Sequence, residues 1–252
     1  MTTTVSALTD FDGLFKDSPY DVNLSQWDVS GAKTMRNMFK NAPLFTGDSL
    51  ENWNVAKVTN MDNMFKGTSA FSGESLGNWN VAKVTSMAGM FMEASAFSGE
   101  SLGNWNVAKV TSMFGTFMGA SAFTGESLSS WNVERVSFMI FMFRNTESFE
   151  GSSLYNWNLS RVTDMTGVFD GATVFTGQGL RNWNVANVQK LFMTFAHTPN
   201  LESKWLVNWD VSQVTSLDYT FTMSSLGGKG MLYALFTTLC IGHNNNNNNK
   251  QV

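Results

Sequence analysis

One tryptophan recurs at a constant interval along most of this chain, and this interval limits what the chain can fold into. Eight tryptophans stand 26 residues apart, with no insertion or deletion between them: Trp27, Trp53, Trp79, Trp105, Trp131, Trp157, Trp183 and Trp209. The segment FSGESLGNWNVAKVTSM also occurs twice without change, at residues 71–87 and 97–113. An unbroken period of this length is typical of a solenoid, in which each repeat is one structural unit stacked on the next.

Within one repeat, residues 50–71 show two successive patterns of apolar side chains. Trp53 and Val55 alternate with polar or small residues, which is the period of a half-buried strand whose tryptophan side faces the core. From Val58 to Phe65 the apolar residues are spaced by three and four, which predicts a short helix. The sequence therefore predicts an α/β solenoid, a leucine-rich-repeat-like horseshoe with one short strand and one short helix per 26-residue repeat and a parallel sheet.

The repeat resembles one that is known from other proteins. Its pattern is Leu-x-x-Trp-x-Val, followed by Val-x-x-Met-x-x-Met-Phe, a small residue and a further Phe. This pattern is similar to the repeat of BspA-type leucine-rich-repeat surface proteins, a family also described around mycoplasmal lipoproteins. The similarity extends over residues 24–226. It implies a strand-plus-helix horseshoe and an adhesion protein that is secreted or held at the cell surface.

The two ends of the chain depart from the repeat. Residues 1–23 begin in the second half of a repeat and are expected to form an N-terminal cap, while residues 24–226 hold the eight tandem repeats. Residues 227–243 contain an apolar run shorter than the ~20 residues of a membrane-spanning helix, so a C-terminal cap is expected there. The asparagine-rich residues 244–252 are expected to be disordered, because they have no apolar surface to bury.

The composition gives no reason to expect binding to nucleic acid or to an anionic membrane. The formal net charge is −4 and charged residues make up 14% of the chain, against about 25% in an average globular domain. The single cysteine, Cys240, excludes an internal disulfide. The first residues, MTTTVSA, have neither the basic nor the apolar region of a cleavable secretory signal, so none is expected and the compartment is left open.

Histidine and cysteine side chains are too few to suggest a catalytic site. The histidines are His197 and His243, so no His/Cys metal set can be assembled and no cofactor is expected. His197 follows the periodic Phe195 and is interpreted as a partly exposed residue at a helix end. We expect no enzymatic activity. No divalent metal should be required, because the acidic residues offer one carboxylate per repeat whereas calcium takes about six to eight oxygens.

Asparagine follows the tryptophan in six consecutive repeats and should face away from the core. Stacking of the repeats would place these amides in one column on the concave side: Asn54, Asn80, Asn106, Asn132, Asn158 and Asn184. One interpretation is that the stacked amides hydrogen-bond to one another and stiffen the sheet. The other is that they present a binding face.

Charged and hydroxyl side chains recur in columns of their own. Basic residues stand just after the predicted strand: Lys57, Lys83, Lys109, Arg135 and Arg161. Acidic residues stand just before it, so that the two columns should follow opposite edges of the sheet: Asp48, Glu74, Glu100 and Glu126. Duplication of one unit would produce such columns without selection for binding, so electrostatic steering and duplication are both open. A threonine column, broken by Ser137 and Gln189, is too irregular to match an ice lattice: Thr59, Thr85, Thr111, Thr163 and Thr215.

The sharpest candidate site is an apolar cluster on the outer face of the predicted helices. Nine and thirteen residues after the tryptophan, the first repeats carry polar side chains and the central repeats carry apolar ones. The candidate interface is Met92, Phe114, Met118, Phe138, Ile140 and Phe141. A contiguous exposed apolar patch marks a contact site, and methionine adapts to many partners. The alternative is that the predicted helices are rotated, so that these side chains fill gaps between repeats.

The sequence as a whole favours a non-enzymatic interaction module that recognises a protein or a surface polymer. A homo-oligomer is compatible with this interpretation, whereas nucleic acid and a transmembrane span are not expected. The alternative is a structural scaffold that assembles with itself. Binding of a partner at low concentration would favour the first hypothesis, and self-association of the purified protein would favour the second.

Overall fold

Successive repeats of this chain pair with one another in parallel register. The computed structural model describes residues 5–227, so the predicted cap beyond residue 227, the tail 244–252, Cys240 and His243 lie outside it. We call each repeat a rung. Single parallel β-bridges join the rungs at the position seven residues after the tryptophan: Asp10 with Thr34, Thr34 with Asn60, Asn60 with Ser86, Ser86 with Ser112, Ser112 with Phe138, Asp164 with Lys190, and Lys190 with Ser216.

The helix predicted for the second half of the repeat is wrong. The Met64 N–H donates to the Met61 carbonyl at 3.2 Å and closes a β-turn, but the Met61 N–H donates to Ser86 of the next rung at 3.1 Å. In the same way, the Phe65 N–H donates to Met90 of the next rung at 2.9 Å. An α-helix would keep all of these bonds within the segment. Backbone N–H groups therefore alternate along this segment: one closes a turn within the rung, and another donates to the next rung.

Left-handed residues prevent the helix. The positions ten and fourteen residues after the tryptophan have positive φ, for example 53° at Asn63 and 71° at Gly67. An α-helix needs negative φ at every residue, and Asn and Gly are the residues that adopt the left-handed region most readily. The spacing of Met61, Met64 and Phe65 thus results from consecutive turns that return apolar side chains to the same side.

The strand predicted around the tryptophan does not form a ladder. Trp105 has extended backbone angles, with φ −74° and ψ 125°. Between residues 5 and 227, however, the β-bridges between rungs are isolated and no continuous strand forms. The helices in that part of the chain are six short 3₁₀ helices that precede or reach the tryptophan: Glu74–Leu76, Glu100–Asn104, Glu126–Ser130, Ser152–Asn156, Gln178–Leu180 and Ser203–Trp205.

The tryptophans belong to the core, and this prediction is confirmed. Trp105 is 2% exposed, and its ring stacks on that of Trp79 with centroids 6.4 Å apart. Its Nε1–H donates to the Leu76 carbonyl of the preceding rung at 3.0 Å. The same bond recurs in every rung from Trp53 to Trp209 at 2.9–3.4 Å. The tryptophan column therefore fills the core and also ties each rung to the previous one.

Two columns of phenylalanine complete the core, twelve and eighteen residues after the tryptophan. Within one rung the rings of Phe91 and Phe97 stack with centroids 3.9 Å apart, and Phe91 stacks on Phe117 of the next rung at 5.8 Å. All three rings are fully buried. Pairs of this kind contribute about 0.5–1.5 kcal/mol beyond the burial of their area. An unvarying period places ring upon ring, so the core is continuous from one rung to the next.

Candidate functional site

Each asparagine after the tryptophan caps the turn that follows it. The Asn106 Oδ1 accepts a hydrogen bond from the Ala108 N–H at 3.2 Å, and the same local bond forms at the five equivalent asparagines. Asp28 and Asp210 take this role at the two ends of the column. Within residues 5–227 no hydrogen bond joins one of these amides to the next, so the interpretation as a bonded amide ladder is wrong. Their role as a binding face stays a prediction.

The threonine column is part of the scaffold. The Thr85 side chain and backbone N–H both donate to the Thr59 carbonyl of the preceding rung, at 3.1 and 2.8 Å. Thr111 repeats this arrangement on Thr85, with its side chain at 3.2 Å. The hydroxyls of Thr59, Thr85, Thr111 and Thr215 are therefore committed to bonds between rungs.

The two charged columns are exposed and lie on different turns of the rung. Lys57 lies in the β-turn that the Val58 N–H closes on the Val55 carbonyl at 2.9 Å. Glu74 is the first residue of a 3₁₀ helix, as are its equivalents in the next two rungs. The predicted placement on opposite edges of a sheet is wrong, because no such sheet forms in the described part of the chain.

The candidate interface contains two well-exposed aromatic rings. Phe138 is 60% exposed and Phe114 is 40% exposed. The Phe114 ring meets Phe141 edge-on, with centroids 6.0 Å apart. Phe141, Ile140 and Met118 are half-buried. We call this surface the aromatic patch: Phe114 and Phe138, with Met118, Ile140 and Phe141 at its margin.

Met92 does not belong to the exposed surface, contrary to the sequence prediction. It is 7% exposed, and a Cβ at Gly115 of the next rung would lie 2.7 Å from its Cε. Phe141 likewise packs over Gly167, where a Cβ would lie 2.4 Å from its ring. These two side chains fill space beside glycines of the following rung, as the alternative interpretation predicts, whereas Phe114 and Phe138 do not.

One bridge between rungs is missing beside Phe138, although the Phe141 and Phe143 N–H groups still donate to the next rung at 3.0 and 2.9 Å. Its carbonyl accepts a hydrogen bond from the Met113 N–H of the preceding rung at 2.7 Å. Among the described residues, however, no bridge joins Phe138 to Asp164 of the next rung, although Asp164 continues the column by pairing with Lys190. The departure from the repeat in side-chain type therefore coincides with a departure in backbone pairing.

A buried carboxylate that the sequence analysis missed lies next to the aromatic patch. The Asp170 Oδ1 is 2.8 Å from the Nδ1 of His197, and its Oδ2 is 2.9 Å from the Nε of Arg144, whose N–H is not aligned for a hydrogen bond. The Arg144 guanidinium also lies over the Phe141 ring, 5.2 Å from its centroid. The predicted helix end at His197 is wrong, because this residue lies in a turn at a φ of 54°.

The network could have been found by aligning the repeats. Arg144 and Asp170 occupy the same position in successive repeats, and His197 stands one position further on in the next. A guanidinium and an imidazole beside a buried carboxylate offset the cost of burying its charge. The network thus joins three consecutive rungs at the edge of the aromatic patch.

The described residues contain no group of three His, Cys, Asp or Glu side chains placed to hold a metal ion. Between residues 5 and 227, no helix has the length and hydropathy to cross a bilayer.

These features define a class of protein, a tandem-repeat solenoid with a continuous aromatic core. The chain belongs to the family described as Mycoplasma protein of unknown function, DUF285. The matches to this family cover residues 8–126, 71–177 and 139–226. None of the curated proteins matches the chain.

Two solved structures with some similarity are leucine-rich-repeat proteins. One, from Leptospira interrogans, is 8% identical, and the alignment covers 89% of this chain and 72% of that one with a TM-score of 0.17. The other, a leucine rich cell surface protein from Faecalibacterium prausnitzii, is 10% identical, with 89% and 84% covered and a TM-score of 0.18. Scores this low do not support a common fold.

Proposed function

We propose that this chain is a non-enzymatic recognition module that binds another protein through the aromatic patch. The observation that supports it is the exposure of Phe138 and Phe114, at 60% and 40%. At the same positions the preceding repeats carry Ser112 and Ala88. The rung forms with small side chains at these positions, so the exposed rings are not needed to build the scaffold.

The chemistry of the patch suits the centre of a protein interface. Aromatic and arginine side chains are the ones that contribute most to binding energy at such centres. Arg144 is held at the margin of the patch by Asp170, 2.9 Å away, and by the ring of Phe141. An interface of standard size buries about 800 Å² per partner, so a partner would contact several rungs around Phe138.

The alternative is a scaffold in which the same patch binds a second copy of the chain. The resemblance of the repeat to BspA-type surface proteins favours recognition of a separate protein, at the cell surface or in the extracellular medium. In the alternative, the purified chain would associate with itself in proportion to its concentration.

The experiment compares Phe138→Asp with Val207→Asp, a control at an exposed valine far along the chain (66% exposed). Binding of each variant to a panel of purified extracellular and cell-surface proteins is measured by biolayer interferometry, and self-association by sedimentation. A partner that binds the wild type and the control equally, and Phe138→Asp at least about tenfold more weakly, is the expected result. Equal binding by both variants, or no partner at all, would contradict the proposal. Self-association lost only in Phe138→Asp would favour the scaffold.

A further inference from the structure

A second surface, outside the aromatic patch, carries hydrogen-bond donors and positive charges in register. It includes the six asparagines that directly follow a tryptophan and the basic column described above. It also includes polar residues directly before each tryptophan: Asn52, Asn78, Asn104, Ser130, Asn156, Asn182 and Asn208. All of these side chains are exposed. We call these three columns together the donor strip.

The turn geometry fixes which end of the amide is available to a ligand. The Asn106 Oδ1 is occupied by the Ala108 N–H at 3.2 Å, and that of Asn132 by the Glu134 N–H at 3.1 Å. The Nδ2 groups of these asparagines have no protein partner within residues 5–227. The side chains are thus held in place before any ligand binds, which reduces the entropic cost of binding.

The basic column lies beside the amide column and is not neutralised. None of its five cations forms an ion pair in the described part of the chain. Its proximity to the amide column is visible at Asp28, which stands in the position of the asparagines. The pKa of Asp28 is lowered, chiefly by hydrogen bonds from Ser30 and in smaller part by the positive charge of Lys57 on the next rung.

The middle of the strip forms a shallow groove. Its volume is about 260 Å³, and the polar side chains that line it are Asn104, Asn106, Ser130 and Asn132. Its floor is fixed, because the Ser130 hydroxyl donates to the Gly103 carbonyl at 2.6 Å. The groove is therefore lined by small polar side chains on adjacent rungs.

We propose that the donor strip binds a linear acidic polysaccharide, with uronic-acid carboxylates against the basic column and hydroxyl and ring oxygens against the amides. Rungs stack at about 4.8 Å, so five successive cations span roughly 19 Å. The length of one sugar in a linear glycan is comparable to the spacing between rungs. The oxygens and carboxylates of the glycan therefore recur at about the same interval as the amides and cations of the donor strip. This site uses none of the residues of the aromatic patch, and it holds or fails independently of the proposed function.

Single-stranded nucleic acid is also a linear polyanion, but the strip suits it less well. Proteins that bind it without sequence preference stack its bases on aromatic side chains. Among the described residues that border the donor strip, Tyr155 alone offers an exposed aromatic ring, so the strip has no row of rings on which successive bases could stack.

The first test removes charge from the full-length chain. Isothermal titration measures binding of an oligogalacturonate of about ten sugars, a dextran of equal length and an oligothymidylate, chosen so that each ligand spans the roughly 19 Å of the basic column. We expect Lys83→Gln/Lys109→Gln/Arg135→Gln to bind the oligogalacturonate at least about tenfold more weakly than the wild type. The control Lys16→Gln/Lys40→Gln/Lys66→Gln, with the same change of charge elsewhere, should bind it like the wild type. Affinity should fall by about tenfold or more between 50 and 300 mM salt. Binding of a polyanion releases its bound counterions, and this release is less favourable when the salt concentration is high.

The second test changes the amides without changing the turn. Asn80→Asp/Asn106→Asp should melt like the wild type, because Asp28 and Asp210 make the same bond to the following N–H at 3.0 Å. It should nevertheless lose oligogalacturonate binding, since each change replaces a donor by a negative charge.

Three outcomes would overturn the proposal: wild-type binding of the oligogalacturonate no tighter than that of dextran, tighter binding of the oligothymidylate, or equal binding by the strip variants and the control. Phe138→Asp, which tests the proposed function, should bind the oligogalacturonate normally, so the two proposals fail separately.

Discussion

At the scale of the residue, the tryptophan has one role that its sequence pattern predicts and one that it does not. Burial of Trp105 follows from its alternation with exposed asparagines, because side chains on an extended segment point to opposite sides. Its bond to the Leu76 carbonyl depends on how one rung sits on the previous one. No pattern within a single repeat carries that information.

Replacing Trp105 should therefore be costly, and replacing its neighbour should not. Trp105→Ala is expected to lower the free energy of unfolding by about 3–5 kcal/mol, as for other large buried aromatic residues. Asn106→Ala removes one exposed turn bond and should cost about 1 kcal/mol. Urea titrations of the two variants measure both losses. Equal losses would mean that the buried and exposed sides of this segment are assigned the wrong way round.

The acid limb of the stability curve should depend on Asp164. Burial acts to raise the pKa of Asp164, but hydrogen bonds from Thr166 and the Lys190 ammonium, 3.2 Å away, outweigh it, and the pKa is lowered. A carboxylate with a lowered folded-state pKa stabilises the fold above its unfolded pKa of about 3.9, and this contribution is lost as the pH falls through the folded value.

Asp164→Asn tests this dependence. The difference in unfolding free energy between the wild type and Asp164→Asn should be constant near neutral pH and shrink below about pH 4. Urea titrations at a series of pH values measure this difference. The control is Asp218→Asn, at an exposed aspartate that has no ion pair among the described residues. A difference that does not change down to about pH 2 would show that the lowered pKa is absent.

At the scale of the element, the sequence predicts burial better than it predicts conformation. The core positions Met61, Met64 and Phe65 follow from the repeat period, because any element that returns side chains to one side gives this spacing. Turn or helix is decided by φ at Asn63 and Gly67, and the recurrence of Asn and Gly at these positions was the available signal. Position in the period outweighs residue type, since even a bulky residue, Phe141, adopts a φ of 58° there.

The candidate site was predictable to a similar degree. Exposure of Phe138 follows from the polar residues at its position in the neighbouring repeats, Ser112 and Asp164, and exposure of Phe114 follows from a position that is polar in the first repeats. Burial of Met92 does not, because it depends on the absence of a side chain at Gly115 of the next rung. The Asp170 network was missed because its members belong to three different repeats.

Glycines that pack against the phenylalanine columns should not tolerate alanine. Gly99 has a φ of 80°, and a Cβ there would lie 2.4 Å from the buried ring of Phe123. Gly99→Ala should cost about 2–5 kcal/mol, from the left-handed backbone and from overpacking. Gly103→Ala is the matched control, because its Cβ would meet nothing closer than 3.9 Å at Ser127. Denaturant titrations that gave similar losses for the two variants would contradict this packing.

At the scale of the whole molecule, the recurring core residues are committed to the scaffold. From Trp53 to Trp209, each rung is joined to the preceding one by the tryptophan bond, and stacked phenylalanines and threonine bonds add to most of these interfaces, so stability accumulates from one interface to the next. The exposed recurring columns, and the exposed residues that depart from the repeat, are then available for function. Phe114 and Phe138 are two such departures, both with exposed aromatic rings.

The central claim is that these rings are not needed by the fold and are therefore available for binding. The melting temperature of one variant tests this claim most directly. Phe114→Ala/Phe138→Ser restores the residues of the preceding repeats, Ala88 and Ser112. We expect its melting temperature to stay within about 3 °C of the wild-type value, since a change of 1 kcal/mol shifts a domain of this size by about 2–4 °C. A fall of about 10 °C or more, comparable to that expected for Trp105→Ala, would place both rings in the core and contradict the account.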